Sequence, residues 1–383
     1  MRVIEARDSD AVGALRKPWQ DLEARCPTLI PYLTWEWCDA WWRQFGRGHR
    51  PCVLLFEDPT ASPGPLVGIA PLFSHLLAGV PLRGLAWIGA GHSDYLGPLA
   101  SPGNEKAVAS AFLSYLRGDL RGWDVADLQE LREDSPLGAL RTPPWPDRPA
   151  GSHLLLPMQR CPYVALPPTW QELRKRVGPE IRRIPDRYEN AIRKTFPDAR
   201  FALAEAGDLP PSLAAFFRLH QTRWRTFRDP GVRAFHADVA ARFAERGWLR
   251  LHIAEFQGGI HGALYCFSLG GRTFAYLGAY APEFARYRIG LLLTGRALRR
   301  AIEDGCTEFD FQRGGEAYKY YWASGERENR RILLVRARPG LAGLGELPGR
   351  TWLLLHFVKK SLRPGGGLGA RERGEARREG GPA

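Results

Sequence analysis

The 383-residue sequence contains no uncharged apolar run that approaches the roughly 18 residues needed to span a membrane. Its N-terminus, MRVIEARDSDAV, also lacks the apolar core of a signal peptide. The six cysteines are scattered and none forms a CxxC pair, which argues against a disulfide framework or a structural zinc site. We therefore expect a protein of the reducing cytoplasm that holds no metal.

Motifs of the common nucleic-acid-binding modules are missing as well. The sequence has no zinc-finger spacing, no RNP-like aromatic strand and no clear helix-turn-helix, which argues against sequence-specific binding of nucleic acid. The net charge of +13 and the pI of about 9.7 nevertheless favour anionic partners such as phosphates, acidic polymers or a membrane surface. The sequence carries no signal for an oligomeric state.

The length and composition indicate a globular protein of more than one domain. Hydrophobic residues make up 44% and aromatic residues 11% of the chain, and 383 residues exceed one typical core. A proline-rich stretch, TPPWPDRP at 142–149, suits a linker. We predict one domain over 1–150, a second over 165–340 and a disordered glycine- and charge-rich tail over 364–383.

Both halves of the chain show the same order of predicted elements: a helix, three antiparallel strands, a helix and a strand. In the first half these lie at 34–45, 52–57, 66–77, 82–88, 105–117 and 124–130. In the second half they lie at 212–227, 249–256, 260–269, 273–280, 290–303 and 307–312. The pattern predicts an α+β (mixed α/β) fold of two tandem domains, each a mainly antiparallel sheet flanked by helices.

Two segments of the second half carry groups suited to chemistry. The sequence RYRIG at 286–290 places a glycine at the start of an apolar helix, whose free N–H groups and dipole favour a phosphate. The sequence FDFQRGGEAYKYYW at 309–322 offers carboxylates, cations and tyrosines within one turn after a strand, which is typical of the floor of a site.

These segments resemble the GNAT acyltransferase superfamily, and in particular its tandem-domain BioF2-like or CelD-like (cellulose-biosynthesis) branch, which is related to FemAB-type aminoacyl transferases. The resemblance rests on YLGAY at 276–280, YRIGLLL at 287–293 and DFQRGGEAYK at 310–319. The last is similar to the Asp-Phe-x-Arg-Gly-x-Glu-x-Tyr-Lys signature of that branch. The resemblance is strong over about 165–335 and extends to the first half as a degenerate GNAT-like domain.

The resemblance implies a coenzyme A thioester, acetyl-CoA or another acyl-CoA, as co-substrate. Its pyrophosphate would bind the loop made of Arg286, Tyr287, Arg288, Ile289 and Gly290. The superfamily's fuller loop has a second glycine two residues later, where this chain has Leu292. That departure leaves open another activated donor, such as the aminoacyl-tRNA of FemAB-type enzymes.

The same resemblance implies roles for individual side chains. Asp310 is the first candidate for the general base, with Glu316 as the alternative, and Tyr318 is the candidate proton donor to the leaving thiolate. Backbone N–H groups near 277–280 would support the oxyanion. Candidate substrate-binding residues are Arg313, Lys319, Tyr276 and Arg223. His220, on an aromatic-rich helix, is either a further base or a buried structural histidine.

The leading hypothesis is an acyl-CoA-dependent N- or O-acyltransferase, an acetyltransferase in the first instance. The acceptor would be a small molecule or a glycan, such as a saccharide or a cell-envelope or exopolysaccharide precursor. The alternatives are a FemAB-like aminoacyl transferase and a catalytically degenerate scaffold in polysaccharide synthesis. The apolar and basic segment 351–363 would give peripheral contact with the inner face of the membrane, although packing against the domain is the simpler interpretation.

Overall fold

The computed structural model describes residues 1–61, 65–77, 82–140 and 151–336. The predicted linker at 142–149, the membrane-contact segment at 351–363 and the tail at 364–383 lie outside these residues. The chain divides into two compact units, Met1–Met158 with the chain from Glu328 on, and Gln159–Arg327. We call these unit 1 and unit 2. The domain boundaries predicted from the sequence stay a prediction.

The described residues form strands and helices in the following order. The strands are β1 Arg2–Ala6, β2 Arg50–Glu57, β3 Leu66–Leu76, β4 Arg83–Trp87, β5 Leu99–Ala100, β6 Val125–Arg132, β7 Gly151–Ala165, β8 Arg200–Leu203, β9 Leu249–Phe256, β10 Gly259–Leu269, β11 Arg272–Tyr280, β12 Glu308–Asp310 and β13 Gly325–Arg336. The α-helices are α1 Ser9–Gly13, α2 Arg16–Glu23, α3 Trp35–Phe45, α4 Glu105–Arg117, α5 Trp170–Arg176, α6 Pro179–Thr195, α7 Leu209–Gln221, α8 Pro230–Glu245, α9 Ile289–Glu303 and α10 Ala317–Tyr320.

Unit 1 contains strands in the order β1, β2, β3, β4, β6 and β13, with the short β5 paired to β3. All neighbours in this order are antiparallel except β4 and β6, which are parallel. Helix α4 covers one face of the sheet, where Phe112 stacks on the fully buried Trp87. Helix α3 starts behind Thr34, whose side chain accepts the N–H of Trp37 and caps the helix.

Unit 2 repeats this arrangement of strands. Its strands follow the order β7, β12, β11, β10, β9 and β8, and only the β11–β12 pair is parallel. Apolar residues of α9 and of the sheet, among them Ile289, Leu292 and Phe309, form the core between helix and sheet. The predicted fold class, a mixed α/β fold with mainly antiparallel sheets flanked by helices, is confirmed.

Several predicted boundaries are wrong in unit 2. The helix predicted to run to residue 227 ends at Gln221, because the carboxamide of Gln221 donates to the Phe227 carbonyl and holds the chain in a turn. Asp229 then caps a further helix, α8, with Pro230 at its first position. The strand predicted at 307–312 is limited to Glu308–Asp310. Strands β7 and β13 and helix α8 were not predicted.

Pro185 lies inside α6 and does not end that helix. A side chain at Gly295 of α9 would bring its Cβ within 2.4 Å of the Pro185 ring. The ring therefore occupies the space that the glycine leaves, and α6 and α9 pack closely at this point.

The described residues contain six free cysteines, of which only Cys306 is partly exposed. Burial raises the pKa of the Cys26 thiol to about 11 and that of Cys52 to about 12. Burial also raises the pKa of Cys38 and Cys266 well above the ordinary value. Among the helices of the described ranges, none combines the length and the apolar character that a membrane crossing requires.

Candidate active site in unit 2

A cleft opens where β11 separates from β12. The two strands pair only through Arg272, Thr273 and Phe274, so β12 does not cover β11 from 275 to 280. Tyr276 forms a bulge at this point, because Ala275 pairs with Cys266 and Leu277 with Tyr265. Gly278 is exposed although β11 lies in the middle of its sheet. We call this opening the β11–β12 cleft.

The end of β11 leads directly into the loop that the sequence predicts to bind phosphate. Arg288 adopts a left-handed conformation with φ 45° and ψ 43°, which costs a non-glycine residue about 1 kcal/mol or more, and α9 begins at the next residue. The N–H groups of Leu291 and Leu292 bond to the Arg288 carbonyl, so those of Ile289 and Gly290 precede the first intrahelical bond. A Cβ at Gly290 would lie 3.6 Å from the Tyr280 ring.

The side chains of this loop divide into anchors and exposed cations. The Ile289 side chain is fully buried in the core, so only its backbone N–H can serve a ligand. The buried Tyr287 donates through its hydroxyl to Thr195 of α6 at 3.2 Å and accepts from Arg286 at 3.2 Å. Arg286 and Arg288 are exposed, and a carboxylate oxygen of Glu180 lies 3.9 Å from Nη1 of Arg288.

Asp310 ends β12 as a completely buried carboxylate. Its Oδ1 accepts the Gln312 N–H at 2.7 Å, and its Oδ2 lies 3.5 Å from Nη1 of Arg327. Arg327 also pairs with Glu308 and covers the Tyr163 ring at 3.8 Å. The contacts of Asp310 therefore fix the turn after β12. Nothing in the sequence pattern marks Arg327 as its partner, because the two residues lie on different strands.

The Lys319 ammonium group stabilises the loop at 312–316 through three contacts. Its side chain is 5% exposed, and its ammonium group donates to the Arg313 carbonyl at 2.7 Å, to Glu316 at 2.9 Å and to the Gln312 carbonyl at 3.4 Å. An ammonium group has three donors, so all of them are engaged. To bind an anion, as the sequence predicts, Lys319 would have to release one of these partners. The Glu316 side chain, in contrast, is 55% exposed.

Tyr318 stands on the other side of this loop. The residue is 40% exposed, yet protein surrounds much of its phenol. Burial raises the pKa of the Tyr318 hydroxyl well above the ordinary value. The charge of Glu316 raises it further, and Cys266 has a smaller effect in the same direction. The two observations agree for a side chain inside an open cleft. Cys266 pairs with Ala275 where β11 leaves β12, so its small effect on this pKa indicates that the Tyr318 phenol lies near the narrow end of the cleft.

The remaining predicted residues lie at different depths. His220 is 4% exposed and its ring contacts Phe216 and Phe227, which fits the structural interpretation better than a base in contact with an acceptor. Arg223 is exposed and donates to the Tyr280 hydroxyl at 3.0 Å, which brings it to the end of β11 beside Gly290. Tyr276 is half-buried at the bulge of β11.

The structure thus brings together the loop at 286–290, Arg223 and the open edge of β11, with Tyr318 near the narrow end of the cleft. It places Asp310, Lys319 and His220 under the surface. Arg313 is half-buried on the loop that Lys319 closes. In the described ranges, no group of His, Cys, Asp and Glu side chains is arranged to hold a metal ion.

Residues 173–320 match the acetyltransferase (GNAT) domain family. This range includes α9 with its loop, the β11–β12 cleft and the segment up to α10. The GNAT part of the predicted resemblance is therefore confirmed for these residues, whereas the CelD-like branch stays a prediction. A comparison with curated protein sequences found no similar protein.

The fold is similar to two solved structures over most of the chain. The crystal structure of FemX has a TM-score of 0.59 at 10% identity and covers 90% of this chain and 99% of its own. A conserved protein of unknown function from Bacteroides thetaiotaomicron VPI-5482 has a TM-score of 0.53 at 10% identity and covers 87% of this chain and 100% of its own. At such identities the likeness shows the fold alone.

Proposed function

We propose that this chain is an acyltransferase that moves an acyl group from a phosphate-bearing activated donor to an amine or hydroxyl acceptor. The observation that carries the proposal is the β11–β12 cleft, which leaves one edge of β11 open and ends at the N-terminus of α9. The match of residues 173–320 to the acetyltransferase domain family supports the reaction class.

An acyl-CoA, acetyl-CoA in the first instance, is the donor that these residues fit best. The N–H groups of Ile289 and Gly290 and the positive end of the α9 dipole favour a pyrophosphate. The absence of a side chain at Gly290 lets the ligand approach the backbone, and the exposed Arg286 and Arg288 add positive charge beside it. No metal is required in this arrangement.

The proposed reaction is a direct transfer within the cleft. The acceptor nitrogen or oxygen attacks the thioester carbonyl, and N–H groups on the open edge of β11 stabilise the oxyanion. The C–S bond then breaks, and the Tyr318 hydroxyl, which its raised pKa keeps protonated, donates its proton to the thiolate sulfur. Glu316 is the exposed carboxylate that accepts the acceptor's proton, while the buried Asp310 positions the loop.

The acceptor that we propose is a saccharide or a cell-envelope or exopolysaccharide precursor, on the strength of the CelD-like signature at 310–319. Aminoacyl transfer from aminoacyl-tRNA is the second candidate. It is supported by the fold likeness to FemX and by Leu292, a fully buried core residue where the fuller GNAT loop has its second glycine. A scaffold without catalytic activity is the third.

Replacing Gly290 with alanine tests the donor site. The added Cβ would make ordinary contact with Tyr280 at 3.6 Å, so the protein should fold and melt like the wild type. The methyl group would nevertheless stand between the backbone and the pyrophosphate. We expect acetyl-CoA to bind about tenfold more weakly, equal to about 1.4 kcal/mol, by isothermal titration calorimetry.

Gly207→Ala is a suitable control, because a Cβ there meets no neighbouring atom within 4 Å and the residue lies outside the cleft segments. If the wild-type protein binds neither acetyl-CoA nor longer acyl-CoAs, the acyl-CoA proposal fails. Turnover that requires charged tRNA would then select aminoacyl transfer. Full complementation of a deletion strain by an Asp310→Asn/Tyr318→Phe double variant would instead select the scaffold.

A further inference from the structure

A second cavity lies in unit 2 between α6 and α9, at the opposite end of α9 from the phosphate loop. It has a volume of about 330 Å³, and its walls include Trp170, Glu189, His252, Arg296, Arg299 and Arg300. Arg300 follows Gly290 by about 15 Å along the axis, at 1.5 Å per residue. We call this space the α6–α9 cavity, and it shares no residue with the β11–β12 cleft.

His252 forms part of the floor of this cavity. It lies on β9 on the same face of the sheet as Ala254 and Phe256, which are core residues. The residue is 5% exposed, and within the described ranges neither of its ring nitrogens has a hydrogen-bond partner. Because His252 lines the cavity, its ring nitrogens can bond to water or to a ligand there.

Guanidinium groups surround the imidazole. Burial first, and then the charges of Arg296, Arg250 and Arg300, lower the pKa of His252 to about 3, against a smaller opposing effect of Asp304. Three guanidinium groups thus act on the imidazole against one carboxylate, and the imidazole stays neutral. A neutral imidazole can still donate one hydrogen bond to an anion.

Two arginines at the wall keep donors available. Arg300 uses its Nε for Asp304 at 2.7 Å and Arg299 uses its Nε for Glu303 at 2.9 Å. Within the part of the chain that the structure describes, the terminal nitrogens of both side chains make no hydrogen bond. The carboxylates of Asp186, Glu189 and Glu303 also line the cavity, and each is already held by an arginine. The terminal nitrogens of Arg299 and Arg300 therefore remain available to a ligand, whereas every lining carboxylate is paired.

We propose that the α6–α9 cavity binds the oxyanion of a small phosphorylated or carboxylated molecule. The terminal nitrogens of Arg299 and Arg300 hold the oxyanion from the wall, and His252 donates to it from the floor. The site is independent of acyl transfer, and it stands whether or not the β11–β12 cleft binds an acyl-CoA.

The test follows the His252 imidazole signals by NMR while the folded full-length protein is titrated with sulfate, acetate, glucose or chloride at matched ionic strength. The His252 signals are assigned as those that disappear from the spectrum of the His252→Gln variant. We expect sulfate or acetate, at millimolar concentration, to shift the His252 signals, whereas chloride and glucose do not. A response to sulfate alone points to a phosphate group, and a response to acetate alone points to a carboxylate.

Arg300→Gln should raise the dissociation constant of the anion about tenfold, which is the typical effect of losing a charge-assisted hydrogen bond. The side chain is 47% exposed, so this variant should remain folded. Arg43→Gln is the matched control, since Arg43 forms a similar i,i+4 pair with Asp39 on an exposed helix face of unit 1. The proposal is overturned if neither anion shifts the His252 signals, or if only glucose does. It is also overturned if the anions shift the signals equally in Arg300→Gln and Arg43→Gln.

Discussion

Tyr318→Phe is expected to lower kcat for acyl transfer by about 100-fold, the lower end of what a general acid contributes. The variant removes only the hydroxyl that we assign to the leaving thiolate. Burial and the neighbouring Glu316 raise the pKa of this phenol, so in the wild-type protein it keeps its proton throughout the neutral range. The KM for the donor should change little, because the phosphate loop is untouched. Steady-state kinetics with acetyl-CoA measure both constants.

Tyr321→Phe provides the control for this prediction. Tyr321 is 43% exposed, compared with 40% for Tyr318, and follows it by three residues, so the two share one side of the turn. The proposed mechanism gives Tyr321 no role, and its variant should keep the wild-type kcat. Equal losses in both variants, or none in Tyr318→Phe, would remove Tyr318 from the mechanism and leave solvent as the proton source.

Asp310→Ala is expected to destabilise unit 2 by about 3 kcal/mol, a cost typical of breaking a buried network. The Gln312 N–H loses its Asp310 acceptor, and Arg327 loses its pair with Asp310 while it keeps the pair with Glu308. Chemical denaturation measures the loss. Glu316→Ala, which removes an exposed carboxylate from the same loop, should cost less than about 1 kcal/mol but lower kcat.

Asp310→Asn separates positioning from base catalysis. An asparagine keeps an oxygen that can accept the Gln312 N–H, so the turn after β12 should remain formed. If Asp310 only positions the loop, the folded variant should retain most of its activity. A well-folded Asp310→Asn protein with a 100-fold lower kcat and an unchanged KM would instead identify Asp310 as the general base that the family signature suggests.

Local patterns in the sequence predict local structure well in this chain. Helix α4 lies at the predicted residues, and Thr34 caps α3, because both features depend on neighbours within one or two helical turns. The start of α9 was also predictable to within one residue, since Gly290 precedes an apolar helical pattern. Phosphate binding by the loop at 286–290 stays a prediction. The unusual feature of this loop, the left-handed Arg288 that turns the chain into α9, has no signal of its own.

What could not be predicted is which polar groups the fold buries. Asp310, Lys319 and His220 look like the reactive groups of a site, yet each is buried and engaged in contacts set by distant residues or by the loop's own carbonyls. Gly278 and Tyr280, in contrast, lie on a central strand but are not covered, because β12 ends at Asp310. Gly278 is exposed and Tyr280 is half-buried. Such facts depend on where two strands separate, and strand pairing is a long-range property.

The burial of the cysteines has a consequence for the order of chemical events. A thiolate near a thioester would exchange with it and form an acyl-enzyme. Here burial keeps the Cys26, Cys38, Cys52 and Cys266 thiols protonated and inaccessible to a bound thioester, and Cys161 is buried as well. The partly exposed Cys306 contacts Ser268 and Thr273, outside the open part of β11 at 275–280. We therefore expect both substrates to be bound before either product leaves. Initial-velocity lines at several acceptor concentrations should intersect, and parallel lines would reveal a covalent intermediate.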